Sequence, residues 1–182
     1  ESGKSATAPT VAARAGFTFA GWDKAFTSVT SNLTVTAQYT AKDGASYTAL
    51  NAAIAEAEGL AQSEFTATTW SALQTALVAA KNVDKNLYAE GQSTVDAATA
   101  ALTNAMNALV NIYTVTFKDY DGTQLGAIVT VESGKSATAP SVPTRDGYTF
   151  TGWSKTYTNV TSNLIVYAQY VENGKADYNA LN

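Results

Sequence analysis

Nine residues occur twice: Glu1–Pro9 and Glu132–Pro140 both read ESGKSATAP. The match runs on without a gap. Glu1–Tyr39 lies over Glu132–Tyr170 at an offset of 131, and 27 of 39 positions are identical. The register then continues from Ala45–Asn51, ASYTALN, to Ala176–Asn182, ADYNALN. Self-similarity at a fixed offset is the mark of a repeat architecture. The chain therefore reads as one period of a tandem array plus part of the next, starting inside one unit and stopping inside another. Such a sequence says much about architecture and little about chemistry.

Composition sharpens this. The chain has no cysteine and no histidine. That excludes disulfides and thiolate ligands, and it removes the commonest general base and metal ligand. Charged residues make up 14% and the net charge is −4, a balance that does not favour nucleic acid or anionic lipid. No run approaches the roughly 18 apolar residues of a membrane span. The charge is uneven. Residues 41–112 are Ala-rich and carry three Lys against seven acids, whereas 113–171 are rich in Thr, Val, Tyr and Gly and balance four basic against four acidic residues. The shift marks two kinds of module.

The expected division is a partial β-repeat at 1–40 lacking its first hairpin, a three-helix module at 41–112, a complete β-repeat at 113–171 and the start of a further helical module at 172–182. In the complete repeat, Tyr113, Val115 and Phe117 alternate with polar residues as a half-buried strand. Asp121-Gly122 is a strong hairpin signal. Leu125, Ala127, Val129 and Val131 alternate on the return. Pro140 and Pro143 keep the next stretch extended, and Asp146-Gly147 turns into Tyr148–Trp153. In the last strand Leu164, Val166, Ala168 and Tyr170 match their copies, whereas Ile165, Tyr167 and Val171 replace threonines. One parity is fixed and the other drifts, as expected of an inner and an outer face. The repeat at 1–40 should expose a sheet edge and a half-open core, to be less ordered than its copy or completed by a neighbouring molecule.

In the helical module, Tyr47, Leu50, Ile54, Ala57 and Ala61 form one stripe, with Ser46, or Asp177 in its copy, as the expected N-cap. Trp70, Leu73, Leu77 and Ala80 form a second. Thr66 is its expected cap, with Phe65 and Trp70 at the spacing of a hydrophobic staple. Val95, Ala98, Leu102, Ala105, Leu109 and Ile112 form a third, with Ser93 and Asp96 spaced as a capping box. Helices of roughly 16–20 residues would pack as an up-down-up bundle. The connection at 108–113 is short. The joint at 39–46 contains Lys-Asp-Gly, so bending is expected near Gly44 and again near Gly174.

VTFKDYDGT, ESGKSATAPSVPTRDGYTFTGW and VYAQY resemble the Listeria–Bacteroides repeat, the B-repeat of internalin-type surface proteins. YTALNAAIAEAEGL, FTATTWSALQTALVAAKNV and VDAATAALTNAMNAL resemble the three-helix FIVAR module. The resemblance covers nearly the whole chain. It implies an α+β multidomain fold, a three-helix bundle flanked by small β-grasp-like modules. It also implies a large protein on the outside of a Gram-positive-type bacterium, often wall-anchored.

Several motifs carry a chemical reading and a plainer one. Gly134-Lys135-Ser136 mimics the end of a phosphate-binding loop, but the position needing glycine is Val129, so a turn is expected. Asp119-Tyr-Asp121-Gly122 opens like a calcium loop but lacks the later ligands, so a hairpin is expected and no metal. Glu56, Glu58 and Glu64 read as a solvated acidic face. Tyr148, Phe150 and Trp153, copied as Phe17, Phe19 and Trp22, could stack on sugars if exposed or form the core if buried. Core is favoured, because a module this small needs its large rings inside. Trp70 is read the same way.

The expected function is a structural spacer, with no catalytic residue, no cofactor and no membrane insertion. Its expected partners are neighbouring repeats of the same chain. The alternative is an adhesive module holding host-matrix protein or glycan through Tyr148, Trp153 and Trp22, gaining by avidity. A Lys–Asn isopeptide cross-link, which some surface stalks use, has no sequence locator; intact mass would show the loss of one ammonia.

Overall fold

A computed structural model describes residues 2–174. Among the described residues the fold is mixed α+β, with three α-helices and two sheets. In chain order the elements are β1 (Phe17–Trp22), β2 (Ala37–Ala41), α1 (Thr48–Glu58), α2 (Ala67–Lys81), α3 (Gln92–Asn107), β3 (Ile112–Lys118), β4 (Val129–Glu132), β5 (Tyr148–Trp153) and β6 (Leu164–Glu172). Glu172 still belongs to β6 and Asn173 and Gly174 follow it without regular structure, while residues 175–182 of the segment expected to begin a new helical module, Asp177 included, lie outside the described residues. The chain divides into two compact units. One holds the residues up to Glu56 with Leu77–Thr103, and the other holds Ala57–Ala76 with the described residues from Asn104 onward.

The second unit contains the complete repeat. Its four strands run in the order β4-β3-β6-β5. The outer pairs are antiparallel, while β3 and β6 pair in parallel at the centre, Val115 opposite Leu164 and Phe117 opposite Val166. Alternation then decides which side is dry. Val115, Phe117, Val131, Val166 and Ala168 face inward and are buried with Leu125, Ala137 and Val160. Ile165, Tyr167 and Val171 face outward and are exposed, the parity read from the two copies. Ala127 is also exposed, against expectation. Gly126 sits at φ +69° and breaks the return strand, so only Val129–Glu132 joins the ladder and the alternation restarts there.

A second irregularity shapes β5. The ladder slips between Phe150 and Gly152, and the first repeat slips at the same place, between Phe19 and Gly21. Both glycines have positive φ, +140° and +120°, which side-chain-bearing residues rarely adopt. The extra residue inverts the parity, bringing Trp153 to the face of Phe150, their rings 5.6 Å apart.

In the first unit, Leu50, Ala53, Leu77, Ala80, Val95 and Leu102 are buried, contributed by segments of all three helices. Two helices are shorter than expected, α1 at 11 and α2 at 15 residues, whereas α3 has 16. In the second unit Thr66 caps α2 as read: its Oγ1 accepts from Thr69 N–H at 3.4 Å. Phe65 stacks on Trp70, centroids 6.1 Å apart and planes within 7°. The other two caps differ. Ser46 precedes a helix that starts at Thr48, and its backbone is held instead by Gln92, whose Oε1 accepts from Ser46 N at 2.7 Å while Nε2 donates to Ser46 O at 3.1 Å. Ser93 lies inside α3, because the 3-10 turn Ala89–Gly91 carries the chain into the helix one residue earlier. Gln92 Nε2, not Ser93, donates to Asp96.

The joint expected to bend at Gly44 is tied down. Ala45 N donates to Leu87 O and Ala89 N to Asp43 O, at 2.9 and 2.8 Å, and Lys42 forms an ion pair with Glu90. In the second unit the equivalent task falls to Phe65-Thr66. Thr66 N donates to Val110 O, Val110 N to Thr69 Oγ1, and Ser133 N to Asn111 O. Each joint thus satisfies its backbone polar groups with a neighbouring loop, and freely bending chain would leave them to water. Asn173 is held likewise, its N–H donating to Gly147 O at 2.7 Å.

Candidate functional site

The aromatic residues singled out from sequence fall into two environments. Trp153 is half-buried. Its ring meets Phe117 edge-on at 4.8 Å, and Tyr157 meets Phe117 at 5.3 Å from another side. Edge-to-face pairs at this separation add to burial, so Phe117 sits in an aromatic box as the core reading expects. Phe150 is 38% exposed, and so is more open than that reading asked.

Tyr148 stands at the other end of β5, about 16 Å from Trp153 at ~3.3 Å per residue. The two share one face of the sheet but stand at opposite ends of it, with Phe150 between them against Trp153 and Tyr170. Tyr148 belongs to a cage around Arg145. The guanidinium lies 3.5 Å from the centroid of Tyr148 and 3.7 Å from that of Tyr120. Tyr170 closes the cage, its ring 5.6 Å from Arg145, and its hydroxyl donates to Asp119 Oδ1 at 2.9 Å. Partial burial, then the Asp119 hydrogen bond, push the Tyr170 phenol above its ordinary value. A cation between two rings is a favourable contact, and here the cation is the protein's own. Arg145 covers one face of Tyr148 and one of Tyr120, and leaves Phe150 and Trp153 uncovered.

Sequence reading missed Arg145 and Asp119 as members of this group. A signal existed: the arginine stands three residues before the first aromatic of the strand in both copies, as Arg14 and Arg145.

Trp22 lies in the first unit and is half-buried. It lines a cavity of 290 Å³ with Phe26, Val29, Leu33 and Val35. Arg14 leans on Phe17 and Tyr39, at 4.6 and 5.5 Å.

The motifs with a chemical reading have structural uses. Gly134-Lys135 forms a turn in which Lys135 N donates to Glu132 O and Gly134 N to Val160 O. Asp121 Oδ1 accepts from Thr123 N at 2.8 Å, which holds its carboxyl below the ordinary carboxylate range. Asp119 is used by Tyr120 N and Tyr170. Glu56, Glu58 and Glu64 are exposed. Among the described residues, no group of acidic side chains is arranged to hold a metal ion, and no helix is long and apolar enough to cross a membrane.

A β unit met twice, with the same bulge, the same inward residues and the same arginine against aromatic rings, is a repeat of one family. Residues 1–45 and 113–169, more than half the chain, match the Listeria-Bacteroides repeat domain, and the chain belongs to that family. The family is found in bacterial surface proteins. No curated protein matches the chain.

Proposed function

We propose that this chain is a spacer segment of a large tandem-repeat protein of the bacterial cell wall surface, built to hold other domains away from the cell. On this reading the helical part is a FIVAR-like three-helix bundle. The repeats are β-grasp-like modules of the internalin B-repeat type, and the segment carries no reaction. The observation that supports it best is the joints. At each passage between β-repeat and helix the backbone is hydrogen-bonded to a neighbouring loop, the pattern at Ala45 and Ala89 in one unit and at Thr66, Val110 and Ser133 in the other. A chain meant to transmit position needs stiff joints, and backbone groups paired this way resist bending.

The test is replacement. In the parent surface protein, exchanging this segment for an unrelated folded spacer of similar length should leave adhesion unchanged, and deleting it should reduce adhesion by shortening the reach. Loss of adhesion in the length-matched replacement would refute the spacer reading. It would favour the adhesive alternative, in which Tyr148, Trp153 and Trp22 contact matrix protein or glycan. That alternative draws support from the exposed Phe150, Tyr120 and Tyr167. It is weakened by Arg145, which occupies the face of Tyr148.

A further inference from the structure

The two edges of the complete repeat's sheet are built differently. At β5 the ladder slips between Phe150 and Gly152, and a bulge of that kind turns an edge away from further pairing. β4 forms the opposite edge. It pairs with β3 in unbroken register, from Ile112 opposite Glu132 to Val115 opposite Val129. Its four residues include no lysine or proline, the side chains that commonly blunt an edge.

The antiparallel ladder decides which backbone groups of β4 are spare. Ser133 N donates to Asn111 O. The hydrogen-bonded pairs are therefore 111/133, 113/131 and 115/129, with 112/132 and 114/130 between them. The N–H groups of Thr130 and Glu132 and the carbonyl of Thr130 then point away from β3, and both residues are exposed. The Glu132 carbonyl is taken by Lys135 N at 3.0 Å.

Side chains beside this edge add a charge. In the second unit, grooves of about 680 and 520 Å³ flank the 3-10 turn Gln62–Glu64, and Ser63, Ile112 and Thr130 line both. Clefts of ~300–1,000 Å³ are large enough to hold ligands, so the edge has room next to it. Phe65 and Glu132 further line the first groove, and Glu64, Asn111 and Asn163 the second. Each groove contains one carboxylate, and neither contains a lysine or arginine. Among the described residues neither Glu64 nor Glu132 has a side-chain partner.

We propose that the free edge of β4 and these two grooves form a seat for an extended, lysine- or arginine-bearing peptide strand of a partner protein. The strand adds to β4, hydrogen-bonding to Thr130 and to the Glu132 N–H, and its basic side chains pair with Glu132 and Glu64. Main-chain pairing along an open edge supplies affinity, and the flanking pockets supply selectivity. Charge decides the occupant. Two carboxylates with no cation beside them repel an acidic strand and leave a neutral one without a counter-charge. An edge of four residues makes a weak seat, and an array of repeats gains by avidity. The proposal is independent of the spacer reading, because its test reads binding in solution and not reach.

The experiment titrates the isotope-labelled 182-residue chain with an acetylated hexapeptide of alternating lysine and threonine. Its glutamate-threonine counterpart and cellotetraose are run in parallel, and amide resonances are read by NMR. The lysine peptide should shift the amides of Ser63, Thr130 and Glu132 saturably at millimolar concentration, and the binding should weaken as salt is raised. Glu64→Gln combined with Glu132→Gln should weaken it about 5-fold, the sum of two exposed ion pairs. Both residues are exposed, so the doubly substituted chain keeps its fold. No saturable shift at Thr130 and Glu132 overturns the proposal, as does an equal shift with the glutamate peptide. A saturable shift with cellotetraose alone would make the grooves a saccharide site and reject the peptide. Protection of the same amides that grows with protein concentration in the absence of peptide also rejects it, since the occupant would then be a second copy.

Discussion

Val35 and Val166 occupy the same place in two nearly identical stretches of sequence, yet Val166 is sealed from solvent and Val35 lines an open cavity. The same holds for Val29 against Val160 and for Ala37 against Ala168. Among the described residues before Ala45, none is buried. The bulge at Gly21, the left-handed residue at Ser28 and the arginine against aromatic rings all match their counterparts at Gly152, Asn159 and Arg145. Local conformation is therefore carried by the shared 39 residues, and dryness is not. The difference is one hairpin, which supplies Val115, Phe117, Leu125 and Val131 to the core. A β-repeat of this size has one layer of sheet and loops to close over, so removing two strands opens the whole interior and does not merely thin it.

The comparison can be broken most forcefully at Phe117. Phe117→Ala should destabilise the second repeat by about 3–5 kcal/mol, enough to unfold it, and should leave the resonances of the first repeat unmoved. Trp153→Ala should act in the same direction with a smaller effect, roughly 2–3 kcal/mol because the ring is only half-buried, and Trp22→Ala should cost less than about 1 kcal/mol. Equal costs at Trp22 and Trp153, in denaturant titrations read by repeat-specific NMR signals, would contradict the contrast.

How much of this was readable from the sequence follows from the range of the interactions. The inward parity of β6, the Thr66 cap, the Phe65–Trp70 stack and the open edge of the first repeat all rest on neighbours in sequence or on the internal copy. The Gln92 clamp on Ser46 and the Asp119–Tyr170 bond join residues 46 and 51 apart, and no local pattern announces them. Ala127 does not face inward because Gly126, at φ +69°, interrupts the alternation that the sequence pattern alone implies. Gly44 looked like a hinge because Lys-Asp-Gly is loop chemistry, but the pairing with Leu87 and Ala89 is tertiary.

Smaller effects sharpen the comparison. Gln92→Ala removes both hydrogen bonds to Ser46 and should destabilise the first unit by about 1 kcal/mol, with faster exchange of the Ser46 amide as the readout. Tyr170 offers a pH test. Its folded pKa is raised, so its contribution is intact below the ordinary tyrosine value of 10.0 and is lost as pH rises through the higher folded value. Melting of the second repeat should therefore fall above pH 10, and Tyr170→Phe should flatten that decline. The least effect concerns Ser28, at φ +53° where its copy is Asn159 at +51°. Ser28→Asn should stabilise the first repeat by roughly 0.5 kcal/mol, a fraction of the left-handed penalty.

The most direct measurement is amide hydrogen exchange in the unaltered chain, comparing Leu33–Thr36 with Leu164–Tyr167 in one sample. If the hairpin is what closes a repeat, the second set should exchange at least ~100-fold more slowly, a gap of about 3 kcal/mol in opening free energy. Equal protection at low protein concentration would mean that the 39 shared residues close a core unaided, and the account would fail.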